Sequence, residues 1–178
     1  LSPSHPSTAP ALAAKPSARP DGRSPKIPLF RTPQQAAALP LELGLKDTVS
    51  GKPLWRDDGS GGWYALSSIV TYQGKLSRVG DVDNNIECLH ESGSRSRVDR
   101  VTWTARVFNP DGQAVTLPKF KAICLKYVTK LGCKIPPGLF VDVNPETGQT
   151  LETEEGTYQI QKLAFKMGFG WQFRVTSK

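Results

Sequence analysis

Residues 100–132, RVTWTARVFNPDGQAVTLPKFKAICLKYVTKLG, decide the fold, because the spacing of their apolar residues changes partway along. Val101, Trp103, Ala105 and Val107 first alternate with Arg100, Thr102, Thr104 and Arg106. A period of two belongs to a strand with one side on a core and the other toward water. Further on, Phe120, Cys124, Tyr127 and Leu131 fall at i, i+4, i+7 and i+11, flanked by Ile123 and Val128, which is one apolar face of a helix. NPDG closes the strand, Thr116 suits an N-cap, Pro118 the first turn and Gly132 a left-handed C-cap. The stretch therefore predicts a strand, a turn, and a helix over 117–131 that lies on the sheet containing the strand.

Similar patterns extend on both sides. In NIECLHE (85–91), Ile86, Cys88 and His90 oppose Glu87 and Glu91, and SGSRSR (92–97) suits the turn of an antiparallel hairpin with 100–108. In WYALSSIVTYQGKL (63–76), Tyr64, Leu66, Val70 and Tyr72 share one parity, which suits a strand. Upstream, RTPQQAAALPLELGL (31–45) has Thr32 as N-cap, Pro33 at the first helical position and Gln35 where a capping box wants it. This short helix is expected to end at Pro40, which lacks an N–H. Downstream, LFVDV (139–143) reads as a short strand and NPETG (144–148) as a hairpin turn. TYQIQKLAF and WQFRVTS form a last strand pair around KMGFG, with Trp171, Phe173 and Val175 inward. The fold class is α+β: an antiparallel sheet of five or six strands with one main helix packed on one face, preceded by a short helix.

Residues 1–27, LSPSHPSTAPALAAKPSARPDGRSPKI, contain six Pro, five Ala and five Ser. Such a composition cannot build a core and reads as a disordered linker, leaving 28–178 as a single domain. As a flexible coil it reaches roughly 30 Å, and about 80 Å as polyproline II. The chain begins with Leu1, which fits a processed product or a removed upstream segment, so the linker is expected to tether the domain to a membrane or a larger protein. The net charge is +7, and Lys15, Arg19, Arg23 and Lys26 in this stretch face only Asp21. What remains for the domain is too mild to imply nucleic acid.

The cysteines bear on compartment. Cys124 and Cys133 are nine residues apart, and nine helical residues rise about 13.5 Å, beyond the roughly 7 Å a disulfide allows. Cys88 shares its parity with Ile86, and Cys124 its helix face with Phe120 and Tyr127. A Cys88–Cys124 staple is expected, with Cys133 as rival partner, against the alternative of three buried thiols. A staple implies an oxidising compartment such as a periplasm. No CxxC motif occurs, and His90 is the only histidine of the domain, so redox and zinc sites are not supported.

Searches for catalysis return little. GxSxG, HExxH, GxxxxGK[ST] and GxGxxG are all missing. His90 and Glu91 are strand neighbours and point to opposite faces. Asp81, Asp83 and Asn85 start like a calcium loop, but Ile86 and Ser92 stand where an EF-hand needs Gly and Glu. No cofactor is expected. On the helix, Lys119, Lys126 and Lys130 lie within about 40° of one another at roughly 100° per residue. They form a basic edge opposed elsewhere by Glu152, Glu154 and Glu155. Trp55 and Trp63 flank the glycine-rich WRDDGSGGW and offer a recognition surface.

The expected function is a non-catalytic exported binding or accessory module, periplasmic and possibly anchored to the inner membrane. Its candidate surface is Trp55, Trp63, Lys119, Lys126 and Lys130, and its partner a protein or cell-envelope component rather than nucleic acid. One alternative is an enzyme in which His90 converges with Asp57, Asp58, Asp81 or Asp83. Another is a binder of an anionic polymer or membrane surface through the helix lysines.

Overall fold

The strand read from residues 100–107 lies at the middle of the sheet: β5 (Arg100–Val107) is antiparallel to β4 (Asn85–Ser92) on one side and β8 (Gly168–Ser177) on the other. The computed structural model describes residues 33–47, 55–71, 83–93, 98–141 and 148–177. The Pro/Ala/Ser-rich stretch, Thr32, Tyr72 and most of the SGSRSR and NPETG turns lie outside them. The strand path is β1 (Lys46–Asp47), β3 (Trp63–Val70), β4, β5, β8, β7 (Gly156–Phe165), β6 (Gln149–Glu152), seven antiparallel strands, and the two-residue β2 (Arg56–Asp57) also pairs with β3. The expectation of five or six strands undercounts, because strands as short as β1 and β2 carry no alternation to read.

Between the two halves, α2 (Gln113–Lys130) crosses one face of the sheet. Its helical run starts earlier than Thr116, with a 3-10 turn over Pro110–Gly112, giving 21 residues in all. NPDG is thus a helix start: the Asn109 side chain accepts from the Asp111 N–H at 3.1 Å, and Pro110 takes the first position, where its missing N–H costs nothing. Thr116 is an interior residue whose hydroxyl donates back to the Gly112 carbonyl at 2.9 Å. Gly132 ends α2 as expected, at φ 73°, with the Cys133 N–H reaching the Val128 carbonyl. Phe120, Ile123, Cys124, Tyr127 and Val128 turn inward. Tyr127 meets Trp103 edge to face at 5.0 Å, an arrangement that adds about 0.5–1.5 kcal/mol to the area both rings bury.

α1 (Pro33–Glu42) continues through Pro40, against the expectation that proline ends it. Pro40 has no N–H for the Ala36 carbonyl one turn back, and the His90 imidazole on β4 is the hydrogen-bond partner of that carbonyl. β3 also turns over relative to its sequence pattern. The buried residues are Ala65 and Ser67, opposite His90 and Cys88, while Tyr64 and Leu66 face the other way. Small side chains are required on the inner side because α1 packs over this end of the sheet. LFVDV does not start a strand: 137–140 is a turn and Val141 a bend, while 142–143 lies outside the described residues. Phe140 sits at φ 65°, a left-handed conformation costing about 1–3 kcal/mol, with its ring 5.5 Å from Phe173 and 6.2 Å from Phe120.

Fully buried Asn84 joins the strands to the helix start. Its Oδ1 accepts from the Phe108 and Asn109 N–H groups, both at 2.8 Å, and its Nδ2 donates to the Asn109 carbonyl at 2.8 Å. Asn84→Ala removes three bonds at a site closed to water and is expected to cost about 2–4 kcal/mol in urea unfolding. A loss below about 0.5 kcal/mol, the size of an ordinary surface substitution, would contradict this role.

Candidate functional site

Both helices lie on one face of the sheet, so the alternate residues of each strand stand on a face against which no described element packs. Tyr64, Glu91, Arg100 and Thr176 form one cross-strand row there, and Leu66, Leu89, Thr102 and Arg174 the next. At the end of these rows opens a cleft of about 820 Å³, walled by the turn from Asp58 to Trp63 and by Ser92, Gly93 and Asp99. That volume lies within the ordinary range for ligand sites.

The glycine-rich turn is rigidly built. Asp57 accepts from the Gly59 N–H at 2.7 Å, and Asp58 Oδ1 accepts from Ser60 N–H at 2.8 Å, Ser60 Oγ at 2.7 Å and Gly62 N–H at 3.0 Å. The Ser60 bonds chiefly hold the Asp58 carboxyl below its usual range. A Cβ at position 62 would come within 2.5 Å of Asp58 Oδ2, so a larger residue there would have to displace that carboxylate. Arg100 grips Glu91 through two bonds of 2.8 Å, and Asp99 accepts from the Gly93 N–H at 2.7 Å. The cleft therefore sets Tyr64 beside three positioned carboxylates and one guanidinium, with Trp63, whose parity is that of Ala65 and Ser67, at its rim.

The structure separates the residues that the sequence groups together. Trp63 lines the cleft, whereas Trp55 packs against the core on the helix side, its ring 6.4 Å from His90. Lys119, Lys126 and Lys130 are exposed on α2, across the sheet from the Tyr64 row, and Lys130 pairs with Glu42 at 2.6 Å. Tyr64, Leu89, Glu91, Arg100 and Thr176 were not singled out from sequence. They share a row only through strand register, although the outward parity of Glu91 and Arg100 was visible.

The expected convergence of His90 with an aspartate is not formed. His90 is 1% exposed, with Nε2 3.3 Å from the Tyr127 hydroxyl and Nδ1 3.7 Å from the Cys88 thiol. No carboxylate among the described residues touches it. Asp57 and Asp58 are committed to their turn, Asp83 precedes β4, and Asp81 lies outside the described residues. Burial pushes His90 down to about 3, against the raising effect of the Ala36 carbonyl.

The expected staple is also missing: Cys88, Cys124 and Cys133 are buried free thiols. Cys88 and Cys124 lie close enough to influence each other electrostatically, and burial raises both well above the usual thiol range. Cys88 instead meets His90, while packing through Tyr127 joins the helix to the sheet. Cys133 lies past the helix end beside Tyr158, and burial pushes it up to about 11. Raised thiols are poor nucleophiles and metal ligands. Among the described residues no group of three or more His, Cys, Asp or Glu side chains could hold a metal ion, and no helix is long and apolar enough to cross a membrane.

These features define an α+β domain with one face of its sheet under helices and an aromatic, acidic cleft at the end of the other. Comparisons with protein-family models, curated proteins and solved structures find no match.

The buried imidazole makes stability depend on pH. With a folded value near 3 and an ordinary value of 6.5, His90 stays neutral in the folded chain while the unfolded chain takes up a proton. Its contribution is complete above pH 6.5 and is lost as pH falls toward 3. Between pH 6.5 and 4.5 the unfolding free energy is expected to drop by about 2–3 kcal/mol, measured by urea titration at each pH. His90→Gln should flatten that slope even if it lowers stability overall. An unchanged slope would contradict the assignment.

Proposed function

We propose that this chain is a non-catalytic exported binding module that receives a cationic segment of a partner protein of the cell envelope in the Trp63 cleft. In this reading the Pro/Ala/Ser-rich N-terminal stretch is a tether, and the domain serves a periplasmic assembly as an accessory. The supporting observation is the cleft's composition: Tyr64, with Trp63 at the rim, offers apolar surface, while Asp58, Glu91 and Asp99 outnumber Arg100. Lys and Arg side chains match such a site, with their stems on the aromatic rings and their charges at the carboxylates. Nucleic acid and other polyanions do not match it. The seclusion of His90 and the three thiols favours binding over catalysis. The free thiols lend no support to export, which rests on the N-terminal composition alone.

A tetralysine peptide is the probe, with tetraglutamate as control and amide and indole chemical shifts as readout. Tetralysine should move the signals of Gly62, Trp63, Tyr64 and Gly93, and the effect should weaken with added salt. Trp63→Ala should weaken binding at least about tenfold while leaving the remaining spectrum in place. Equal response to both peptides, or shifts confined to the helix side, would defeat the proposal. The exported setting has its own check: in the cell that makes it, the chain should fractionate with the periplasm, and recovery with the cytoplasm would remove that part of the reading.

A further inference from the structure

The row of Tyr64, Glu91, Arg100 and Thr176 lines the cleft, and the next row on the same open face, Leu66, Leu89, Thr102 and Arg174, lies one step along the strands. Leu89 belongs to both, since it also lines the cleft. Arg174 differs from Arg100 and Arg106 on this face, which are paired with Glu91 and Glu87. It pairs with no carboxylate among the described residues. Its Nη2 donates to the Gln172 amide oxygen at 3.3 Å, and that oxygen already accepts from Gln161 Nε2 at 2.9 Å. The Arg174 Nε–H is closed to solvent and has no partner. Directly across on β5, the Thr102 hydroxyl is in the same state: the residue is 5% exposed although no described element packs on this face, and its Oγ1 has no partner. Two groups able to donate thus stand side by side with their acceptor missing, an arrangement that folded proteins rarely leave unfilled.

The acceptor that fits is a single carboxylate. A guanidinium is planar and meets the two oxygens of a carboxylate with two parallel N–H bonds. Thr102 and Gln159, the partners of Arg174 on β5 and β7, add a hydroxyl and an amide on either side. A dianion such as phosphate fits less well, because Arg174 supplies one positive charge and the carboxylates of the cleft stand nearby. With neighbouring strands about 4.8 Å apart and alternate residues of a strand about 6.8 Å apart, Arg174 lies about 12 Å from Glu91 between Cα atoms. An extended peptide sets alternate side chains on one side about 7 Å apart, and the length of a Lys and a Glu side chain covers the remainder.

We propose that Arg174, with Thr102 and Gln159 beside it, is a carboxylate subsite adjoining the cleft, and that the segment received there carries an Asp or Glu two positions from its Lys or Arg. The cation enters among Asp58, Glu91 and Asp99 while the carboxylate meets Arg174. This inference rests on the cleft reading above and narrows it, from a cationic segment to one in which a cation and an anion alternate. The two charges also acquire a direction. Arg174 is two residues before Thr176 on β8, so the anion lies toward the middle of the sheet and the cation toward the turns that wall the cleft.

The test uses the full chain and two capped peptides, acetyl-Lys-Ala-Glu-amide and acetyl-Lys-Ala-Gln-amide, which differ by one charge. The Glu peptide should bind about threefold to tenfold tighter, and should shift the Arg174 Nε–H signal and the Thr102 amide, which the Gln peptide leaves in place. Arg174→Gln should abolish this preference while the rest of the spectrum shows an intact fold. Thr102→Val removes only an unpartnered hydroxyl, so it should reduce the preference without lowering stability. Equal binding of the two peptides, or a preference that survives Arg174→Gln, would overturn the inference; if tetralysine still binds in the cleft, the reading above stands. No response to tetralysine would remove that reading and this inference together. Inorganic phosphate that shifts the Arg174 signal at lower concentration than acetate would assign the subsite to a phosphate instead.

Discussion

A histidine that must stay neutral and hydrogen-bonded ties the layers of this protein together. His90 is fixed on β4, meets Tyr127 of α2 through Nε2, and serves the Ala36 carbonyl of α1. Each of these polar groups is closed to water, and a buried donor or acceptor without a partner costs about 1–3 kcal/mol. Moving any one of the three elements would strand a group on another. Trp55 closes the site from the side, so the imidazole is a structural junction rather than an acid or base.

This arrangement gives the two faces of the sheet different chemistry. The face of the sheet under α1 and α2 is filled by Trp103, Tyr127, Tyr158, Phe173 and their neighbours, and the titratable groups within it are held in their neutral forms. On the other face Glu91 pairs with Arg100 and Glu87 with Arg106, while Arg174 donates to the Gln172 amide oxygen. Such pairs contribute little stability at a surface but set a defined electrostatic pattern.

How much was legible depended on whether the deciding contact was local. The alternation in β4 and β8 reads directly, since a strand's buried parity repeats every second residue, whereas in central β5 Thr102 and Thr104 are buried along with Val101, Trp103 and Ala105. The apolar face of α2 and its Gly132 terminus read equally well. The start of α2 has a local signal that fits two structures: Asn109 followed by Pro110 is a helix cap here, and the same NPDG also suits a simple turn. The inner parity of β3 was not legible, because Tyr64 and Leu66 are larger than Ala65 and Ser67, and bulk alone does not show where a second element needs space. Trp55 and Trp63 flank one loop in the sequence, yet Trp55 packs against the core beside His90 while Trp63 lines the rim of the cleft.

The sequence by itself determined the class of the fold, the positions of the central strands and the main helix, and the poverty of catalytic motifs, because each depends on periodicity or local turn chemistry. Only the tertiary structure decided that the three cysteines are free thiols, that His90 is a sealed junction, and which residues share a surface. Tyr64, Glu91, Arg100 and Thr176 come from four strands and meet through register, while Leu117 and Trp171 meet through the path of a helix across a sheet. Such groupings arise from packing between segments far apart in the chain, and no local pattern records them.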